Sequence, residues 1–511
     1  MSSTAENNKR IAQNTMLLYF RMLLMMGVSL YTVRVVLDTL GTVDYGLYNV
    51  VGGIVSMFAF FSGTMSSASQ RFFAYELGKK DYVQLKKTFS MTLLIYVMLG
   101  AIILILAETV GLWFLKHKMT IPADRMNAAH WVYHFSILSF IITMFRTPYN
   151  ATIIAHEKMN VYAYASIIEA ILKLAIVYLL LLFSFDKLKL YAVLMFIVTT
   201  LVALIYMVYA RRKFEESKFT YYWNTPLFKE ILTFSGWNLF GAFASIFKGQ
   251  GVNIVLNMFL GPVVNAARGI AFQVNGAINQ FVQNFMTAAN PQIIKYYAAN
   301  EKKQLNQLIF RSSKLSFLLL FIISMPILLE TKFIFTLWLK EIPEYVILFT
   351  RLIIINALID SFSYPLMTAA QATGKIKKYQ SLVGGIMMLN LPISYLLLKL
   401  GYAPQSAFYT GIVIALINLF MRLNILKGMI NLPVLDYSKQ VLLRLLFTSL
   451  LAYVIPYLLF TNIGFGILRF LIVAIVGVIS SCSIIYFIGL TNDEKKYVLQ
   501  IMANIKNKFH K

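Results

Sequence analysis

Charged side chains stand within segments of this chain that are otherwise apolar enough to cross a lipid bilayer. A charge in lipid is costly, so such side chains usually face a cavity or an oppositely charged partner. Basic residues outnumber acidic ones in these segments, and arginine forms bidentate hydrogen bonds to phosphate oxygens. The pattern therefore favours a binding site for an anionic head group such as a diphosphate. The basic candidates include Arg21, Arg34, Lys173, Lys248, Arg268, Arg351 and Arg444, and the acidic ones include Glu108, Glu169 and Asp360.

The most regular polar pattern lies in the predicted eighth helix. One arginine and three amides follow one another there at intervals of seven, four and four residues, which places them on one helical face. A face of amides beneath an arginine predicts a cavity wall that hydrogen-bonds sugar hydroxyls and phosphate. A buried helix–helix interface held by amides is the alternative. The four residues are Arg268, Asn275, Asn279 and Gln283.

The predicted seventh helix carries the sequence Lys248-Gly249-Gln250-Gly251 in its middle. Two glycines this close often mark a bend, and a bent polar helix could gate a cavity. A lysine that reaches out to the membrane interface is the competing interpretation. The predicted substrate-binding residues are thus Arg21, Arg34, Lys248, Gln250, Arg268, Asn275, Asn279 and Gln283.

The predicted fifth helix places Glu169 four residues before Lys173, a favourable spacing for an ion pair. The pair predicts either a structural contact or a role in ion coupling or substrate binding, with protons, sodium ions or the membrane potential left open as the energy source. His130 and His134 also stand four apart, but two histidines without a nearby acid rarely bind a metal. The sequence therefore predicts no metal, and it contains no G-x-x-x-x-G-K-[ST] motif for ATP.

The elements that must position these residues are membrane-spanning helices. The chain is 59% hydrophobic and only 13% charged, and its apolar residues form blocks of about 20, the length that crosses a bilayer. Such long runs indicate helices, because a barrel would show short alternating segments. We predict about fourteen spans, near 12–35, 46–68, 89–115, 127–147, 161–183, 190–210, 228–258, 263–289, 308–329, 343–368, 380–398, 405–426, 440–460 and 465–490.

The formal charge of +25 has a topological explanation. With the N-terminus in the cytoplasm, the lysine and arginine clusters fall on the cytoplasmic side, as the positive-inside rule requires. Both termini are then cytoplasmic, and no nucleic-acid partner is expected. The predicted loops are short, among them 116–126 outside and 211–227 inside. Membrane enzymes usually hold catalytic residues in larger loops, so we expect a transporter without catalytic residues.

The sequence also repeats itself. Residues 148–181 align without gaps on 365–398 at an offset of 217, and two further dipeptides match at an offset of 220. Two segments at nearly one offset imply duplication. Six helices in each unit give parallel repeats around a central cleft. We therefore predict an N-lobe at 1–215, a C-lobe at 216–430, and two additional helices with a basic tail at 431–511.

Several motifs carry a resemblance to a known family. The segments RVVLDTLGTVDYGLYNVVGG (34–53), SSASQRFFAYELGKKD (66–81), FRTPYNATIIAHEKMN (145–160) and SYPLMTAAQATGKIKK (363–378) resemble Wzx-type polysaccharide-unit flippases. These belong to the multidrug/oligosaccharidyl-lipid/polysaccharide (MOP) exporter superfamily, together with multidrug (MATE) antiporters and the lipid II flippase.

The resemblance implies transport of undecaprenyl-diphosphate-linked sugar units, as in O-antigen and lipopolysaccharide synthesis. It also implies a place in the cytoplasmic (inner) membrane, with the lipid bilayer, the lipid-linked oligosaccharide and other polysaccharide assembly proteins as partners. A cation-coupled multidrug antiporter of the same fold stays open. A membrane-embedded glycan polymerase or ligase is disfavoured, because the chain lacks a large outer loop and is duplicated.

Overall fold

Helices form the whole regular structure of the part of the chain that the computed structural model describes, which confirms the predicted all-α class. The described residues are 4–56, 59–118, 121, 123–183, 185–260, 262–339, 342–491 and 494–495. Among these residues, four π-helical turns join helices or extend them, at Ala107–Gly111, Phe247–Gly251, Ser438–Leu443 and Ile485–Gly489. The helices are α1 (Thr4–Ser56), α2 (Ala59–Lys79), α3 (Tyr82–Leu106), α4 (Leu112–Lys118), α5 (Met126–Ala155), α6 (Met159–Leu182), α7 (Lys187–Lys213), α8 (Thr225–Ile246), α9 (Val252–Leu260), α10 (Pro262–Ala298), α11 (Lys302–Trp338), α12 (Val346–Ser361), α13 (Ser363–Ala372), α14 (Lys377–Met388), α15 (Asn390–Lys399), α16 (Ser406–Ile430), α17 (Val434–Tyr437), α18 (Arg444–Asn462) and α19 (Ile467–Ile484).

Eleven helical segments among the described residues are long and apolar enough to cross a membrane. The count of fourteen therefore stays a prediction. The predicted span 263–289 is not among the eleven. It falls on α10, where the arginine and the amides lower the mean hydropathy. The predicted break after residue 35 is wrong for the described helix, because α1 continues to Ser56. No proline occurs before Pro122, so no residue in this stretch removes a backbone donor.

The chain folds into two compact units. The first contains α1–α7, most of α8, and two later segments, Thr287–Glu301 and Gly374–Lys377. In its core the hydroxyl of Tyr133 donates a 2.6 Å hydrogen bond to the carbonyl of Ala107, at the π-helical turn after α3. The predicted boundaries at 215 and 430 stay a prediction.

The second unit contains the remainder of the chain from α8 onward. Its core includes a close aromatic pair, with the ring centroids of Phe349 and Phe408 4.2 Å apart. A buried bidentate ion pair joins α19 to α11, with Arg469 Nε and Nη2 at 2.6 and 2.9 Å from the carboxylate of Glu330. Glu330 has non-helical dihedrals and lies four residues after Pro326, which explains a kink in α11.

Backbone geometry repeats at the offsets that the sequence shows. Lys80 (φ 60°) and Asn300 (φ 58°) both end a helix in the left-handed region and lie 220 residues apart. Glu157 (φ 60°) and Gly374 (φ 74°) form a second such pair, 217 residues apart. Left-handed backbone is uncommon outside glycine. Its recurrence at both offsets agrees with a duplicated chain.

Candidate functional site

A polar cluster in the first unit is centred on Glu169. Its carboxylate lies 2.6 Å from Nζ of Lys173, as predicted, and 3.7 Å from Nη1 of Arg146. The side chains of Arg146, Glu169 and Lys173 are 21%, 23% and 34% exposed, so a ligand or water can reach them.

Arg21 belongs to the same surroundings through two tyrosines. Its guanidinium lies 4.4 Å from the ring centroid of Tyr162, a cation–π contact. The hydroxyl of Tyr206 donates to the carbonyl of Tyr162, and the guanidinium of Arg146 lies 5.4 Å from the Tyr206 ring. Three basic side chains and one carboxylate therefore share this region. The buried Nε–H of Arg21 has no hydrogen-bond partner in the part of the chain that is described.

A second polar cluster, in the second unit, is centred on Arg268. Its Nη2 donates a 2.7 Å hydrogen bond to the carbonyl of Gly249, and its Nη1 donates to Oδ1 of Asn253 at 3.1 Å. The π-helical turn Phe247–Gly251 presents that carbonyl, so the predicted irregularity of this helix is a widened turn. The guanidinium also lies over Phe272, and its buried Nε–H has no hydrogen-bond partner among the described residues.

The amides of α10 do share a face, as the sequence predicts. Asn279 donates to Oδ1 of Asn275 at 2.8 Å and accepts a 3.2 Å hydrogen bond from the hydroxyl of Tyr364. Gln283 is exposed, and Lys248 is half-buried in the π-helical turn.

Some predicted residues lie partly outside what the structure describes. The side chains of Arg34 and Gln250 are outside the described part, although both backbone positions are helical. The remaining predicted site residues fall into two groups. Arg21, Glu169 and Lys173 lie in the first unit, and Lys248, Arg268, Asn275, Asn279 and Gln283 lie in the second.

Arg146, Tyr206 and Tyr364 are polar members of these clusters that the sequence argument missed. Arg146 lies at the predicted end of a span and within the motif FRTPYNATIIAHEKMN, so its charge was the available signal. The two tyrosines carried no signal, because tyrosine is common in apolar helices. Each contributes a hydroxyl that a helical pattern alone does not reveal.

The motif residue Glu157 is the centre of an ion-pair network at the ends of three helices in the first unit. Its carboxylate is 1% exposed and lies 2.7 Å from Nε of Arg10. Gln292 and Lys295, near the end of α10, both donate to it. Burial lowers the pKa of the Lys295 ammonium, and the nearby carboxylate of Glu157 only partly offsets this lowering. The residue pair Glu157 and Lys295 thus ties the loop after α5 to the end of α10.

Two glycines make these helix ends fit closely. A Cβ on Gly78, near the end of α2, would lie 2.7 Å from the Cβ of Ala298 in α10. The two residues are 220 positions apart, so each is the repeat equivalent of the other. A side chain on Gly374 would collide with Arg71, which is 4% exposed and packs on Phe72. Both glycines belong to segments that carry the family resemblance.

One histidine does have an acidic neighbour, contrary to the sequence interpretation. Nδ1 of His134 lies 3.0 Å from a carboxylate oxygen of Glu108, which the π-helical turn after α3 presents. His130 stacks on His134 with ring centroids 6.1 Å apart. Among the described residues no group of histidine, cysteine or acidic side chains could hold a metal ion.

Comparisons with known proteins identify the fold. A profile of the MatE family matches residues 18–179. The outward-facing conformation of a multidrug resistance MATE family transporter of the MOP superfamily superposes with a TM-score of 0.72 at 12% identity, covering 83% of this chain and 96% of that one. The chain has the fold of MATE transporters. The MATE fold and the apolar helices together make it a multi-pass membrane protein.

Two further structures have the same fold. A MOP superfamily transporter from Pyrococcus furiosus, described as having a binding pocket of reverse polarity that suggests a different function, has a TM-score of 0.67 at 12% identity and covers 84% of this chain and 97% of its own. The MATE transporter ClbM in complex with Rb+ has a TM-score of 0.67 at 12% identity, with 82% and 94% covered. A comparison with curated protein sequences finds no match.

Proposed function

We propose that this protein is a flippase that moves undecaprenyl-diphosphate-linked oligosaccharide units across the cytoplasmic membrane by alternating access. One observation carries the proposal: each unit holds a polar cluster with an arginine whose buried Nε–H has no hydrogen-bond partner among the described residues. These arginines are Arg21 and Arg268. Buried donors without partners are rare and costly. A phosphate oxygen would satisfy either donor once the side chain turns toward it.

Charge sign separates this cargo from the main alternative. Two unit charges 4 Å apart interact by about 4 kcal/mol at the effective dielectric of a protein surface. A diphosphate near Arg21, Arg146 and Lys173 gains this attraction, whereas a lipophilic cation meets repulsion that the single carboxylate of Glu169 only partly offsets. The Asn275 and Asn279 amides, together with the Tyr364 hydroxyl, add hydrogen-bonding groups of the kind that sugars use.

The alternative function is a cation-coupled antiporter of small molecules or drugs. Glu169 favours it, since this carboxylate is partly exposed and could contact a coupling ion. The multidrug transporter that shares the fold favours it as well. Against it, Glu169 is already paired with two cations, Arg146 and Lys173. The Pyrococcus furiosus transporter, with its pocket of reverse polarity, supports the view that pocket charge varies within this fold along with function.

Alternating access also gives the Glu157 network a role. We propose that the network, together with the Gly78–Ala298 contact, closes the cytoplasmic ends of the helices in one state and breaks in the other. The charged contacts would then be exchanged for water when the ends separate. Such an exchange costs little net energy, because water solvates the freed charges, whereas separating a large apolar interface would cost more.

The cellular setting follows from the same proposal. We place both termini in the cytoplasm, and we expect the bilayer, the lipid-linked oligosaccharide and other polysaccharide assembly proteins as partners. Protons, sodium ions or the membrane potential are the candidate energy sources for transport.

Arginine substitutions in cells test this function. Arg21→Ala and Arg268→Ala should each abolish export of surface glycan while the protein still accumulates in the membrane. Arg→Lys at either position should keep part of the export, because the charge remains but the bidentate fork is lost. Arg351→Ala is the matched control, since among the described residues its guanidinium contacts Thr331 and the carbonyl of Leu329 at 3.4 Å, outside both clusters.

Two outcomes would count against the anionic site. Full export by both alanine variants would remove the role of the arginines. Loss of protein from the membrane, rather than of export, would mean that Arg268 serves only to hold the carbonyl of Gly249 and the side chain of Asn253.

A further inference from the structure

An apolar groove runs along the surface of α6 and α7 in the first unit. It has a volume of about 670 Å³. Leu201, Leu204 and Val208 line it on α7, and each is 43% exposed. Leu172 of α6 lies opposite them. Both helices are long and apolar enough to cross a membrane, and the apolar lining is chemically suited to an acyl chain.

Two cations close one end of this groove. Arg212 and Lys213 line it in the last turn of α7, and both are exposed. The acidic residues that follow are already paired, because Glu215 contacts Lys218 and Glu216 contacts His156. Within the described part of the chain, neither Arg212 nor Lys213 forms an ion pair with an acidic group. Cations at a helix C-terminus are favourable in themselves, but two unpaired ones beside an apolar groove also attract an anion.

We propose that this groove binds an anionic phospholipid. Its acyl chain lies along Leu172, Leu204 and Val208, and its phosphate contacts Arg212 and Lys213. Basic pockets at the cytoplasmic side of transmembrane helices bind anionic head groups in this way. The site goes beyond the proposed transport function and does not depend on the cargo.

The lining selects a phospholipid rather than the sugar-bearing cargo. Besides the two cations, the phenol of Tyr209 is the polar side chain in the lining, so an oligosaccharide would find few hydrogen-bond partners there. A groove of about 460 Å³ in the second unit supplies a contrast. Phe247, Met388 and Tyr395 are among its lining residues, and none of the residues that line it is charged. That second groove can hold an acyl chain but offers no charge to select the head group.

Lipid binding to the purified, full-length protein tests the proposal. Native mass spectrometry would count phosphatidylglycerol and phosphatidylcholine that stay bound after delipidation and exposure to equal amounts of each. We expect wild type to retain phosphatidylglycerol preferentially. Arg212→Ala/Lys213→Ala should weaken that binding about 30-fold, roughly fivefold for each cation. Inorganic phosphate should not compete at millimolar concentrations, because the acyl chain supplies part of the affinity.

Two further variants separate the groove from general surface charge. Leu204→Trp fills the groove but keeps both cations, and it should also lose phosphatidylglycerol. Lys302→Ala/Lys303→Ala removes two exposed cations at the start of α11 and should bind like wild type. Arg212→Gln/Lys213→Gln serves if the alanine pair does not fold, which its unfolding temperature in phosphatidylcholine would show.

The proposal is wrong if the Arg212/Lys213 variant keeps the preference for phosphatidylglycerol, or if the Lys302/Lys303 variant loses it equally. It is also wrong if Leu204→Trp has no effect, since the acyl chain would then lie elsewhere.

Discussion

Replacing Glu157 by glutamine should open the helix ends that this carboxylate holds together. Glu157 is the shared partner of Arg10, Gln292 and Lys295, and its side chain is almost fully buried. Glutamine has nearly the same size but no charge. It leaves Lys295, whose side chain is 22% exposed, without its counter-charge, while Arg10, whose side chain is 45% exposed, can turn to water.

The size of the effect follows from those contacts. A hydrogen bond to a charged group contributes about 1.5–3 kcal/mol, and removing one partner of a buried ion pair costs about 3–5 kcal/mol. Glutamine can still accept one hydrogen bond from Lys295, so we expect roughly 3 kcal/mol. Because about 1.4 kcal/mol is a factor of ten, the ratio of closed to open protein should fall about 100-fold.

Thiol labelling measures this change directly. On a Cys482→Ser background, a cysteine at Ala298 packs against Gly78 and should react slowly with an impermeant maleimide in inverted membrane vesicles. Glu157→Gln should accelerate the reaction strongly. Glu230→Gln is the matched control, since Glu230 is 61% exposed and lies 4.0 Å from its arginine partner. Equal rates in wild type and Glu157→Gln, with unchanged unfolding temperatures, would refute the role of Glu157 in closure.

Three further predictions concern stability and topology. Glu330→Gln should destabilise the second unit by about 3–5 kcal/mol, because it leaves Arg469 buried and unpaired. Replacing both Glu330 and Arg469 by apolar residues should restore most of the lost unfolding temperature. In intact cells, a cysteine at Lys377 should be shielded from impermeant thiol reagents and one at Lys118 should react; the reverse pattern would overturn the orientation. Although burial alone would raise it, the hydrogen bond from a histidine holds the pKa of Glu216 below its ordinary value of 4.5. Ionised Glu216 therefore stabilises the fold above pH 4.5. The free energy of unfolding that Glu216→Gln removes should shrink as the pH falls below 4.5.

Contacts within one helix could be predicted from the sequence. The Glu169–Lys173 pair and the Asn275–Asn279 hydrogen bond both follow from a spacing of four residues on a helical surface. The all-α class and the apolar spans followed from composition, since lipid leaves few alternatives for the backbone.

Contacts between helices could not be predicted, because they depend on packing that no periodicity encodes. Arg146 lies 23 positions before Glu169, and Lys295 lies 138 positions after Glu157. The sequence suggested that glycines bend the seventh helix, but the π-helical turn and its bond to Arg268 required coordinates. Repeat symmetry could have supplied one such contact, since Gly78 and Ala298 are equivalent positions.

Transport by the purified protein tests the central claim most directly. Reconstituted into liposomes, it should move a defined undecaprenyl-diphosphate-linked oligosaccharide between leaflets, and Arg21→Ala and Arg268→Ala should abolish that movement. A lipophilic cationic dye should show no ion-driven efflux from the same liposomes. Robust ion-driven efflux of the dye, without movement of the lipid-linked oligosaccharide, would contradict the flippase and favour the antiporter.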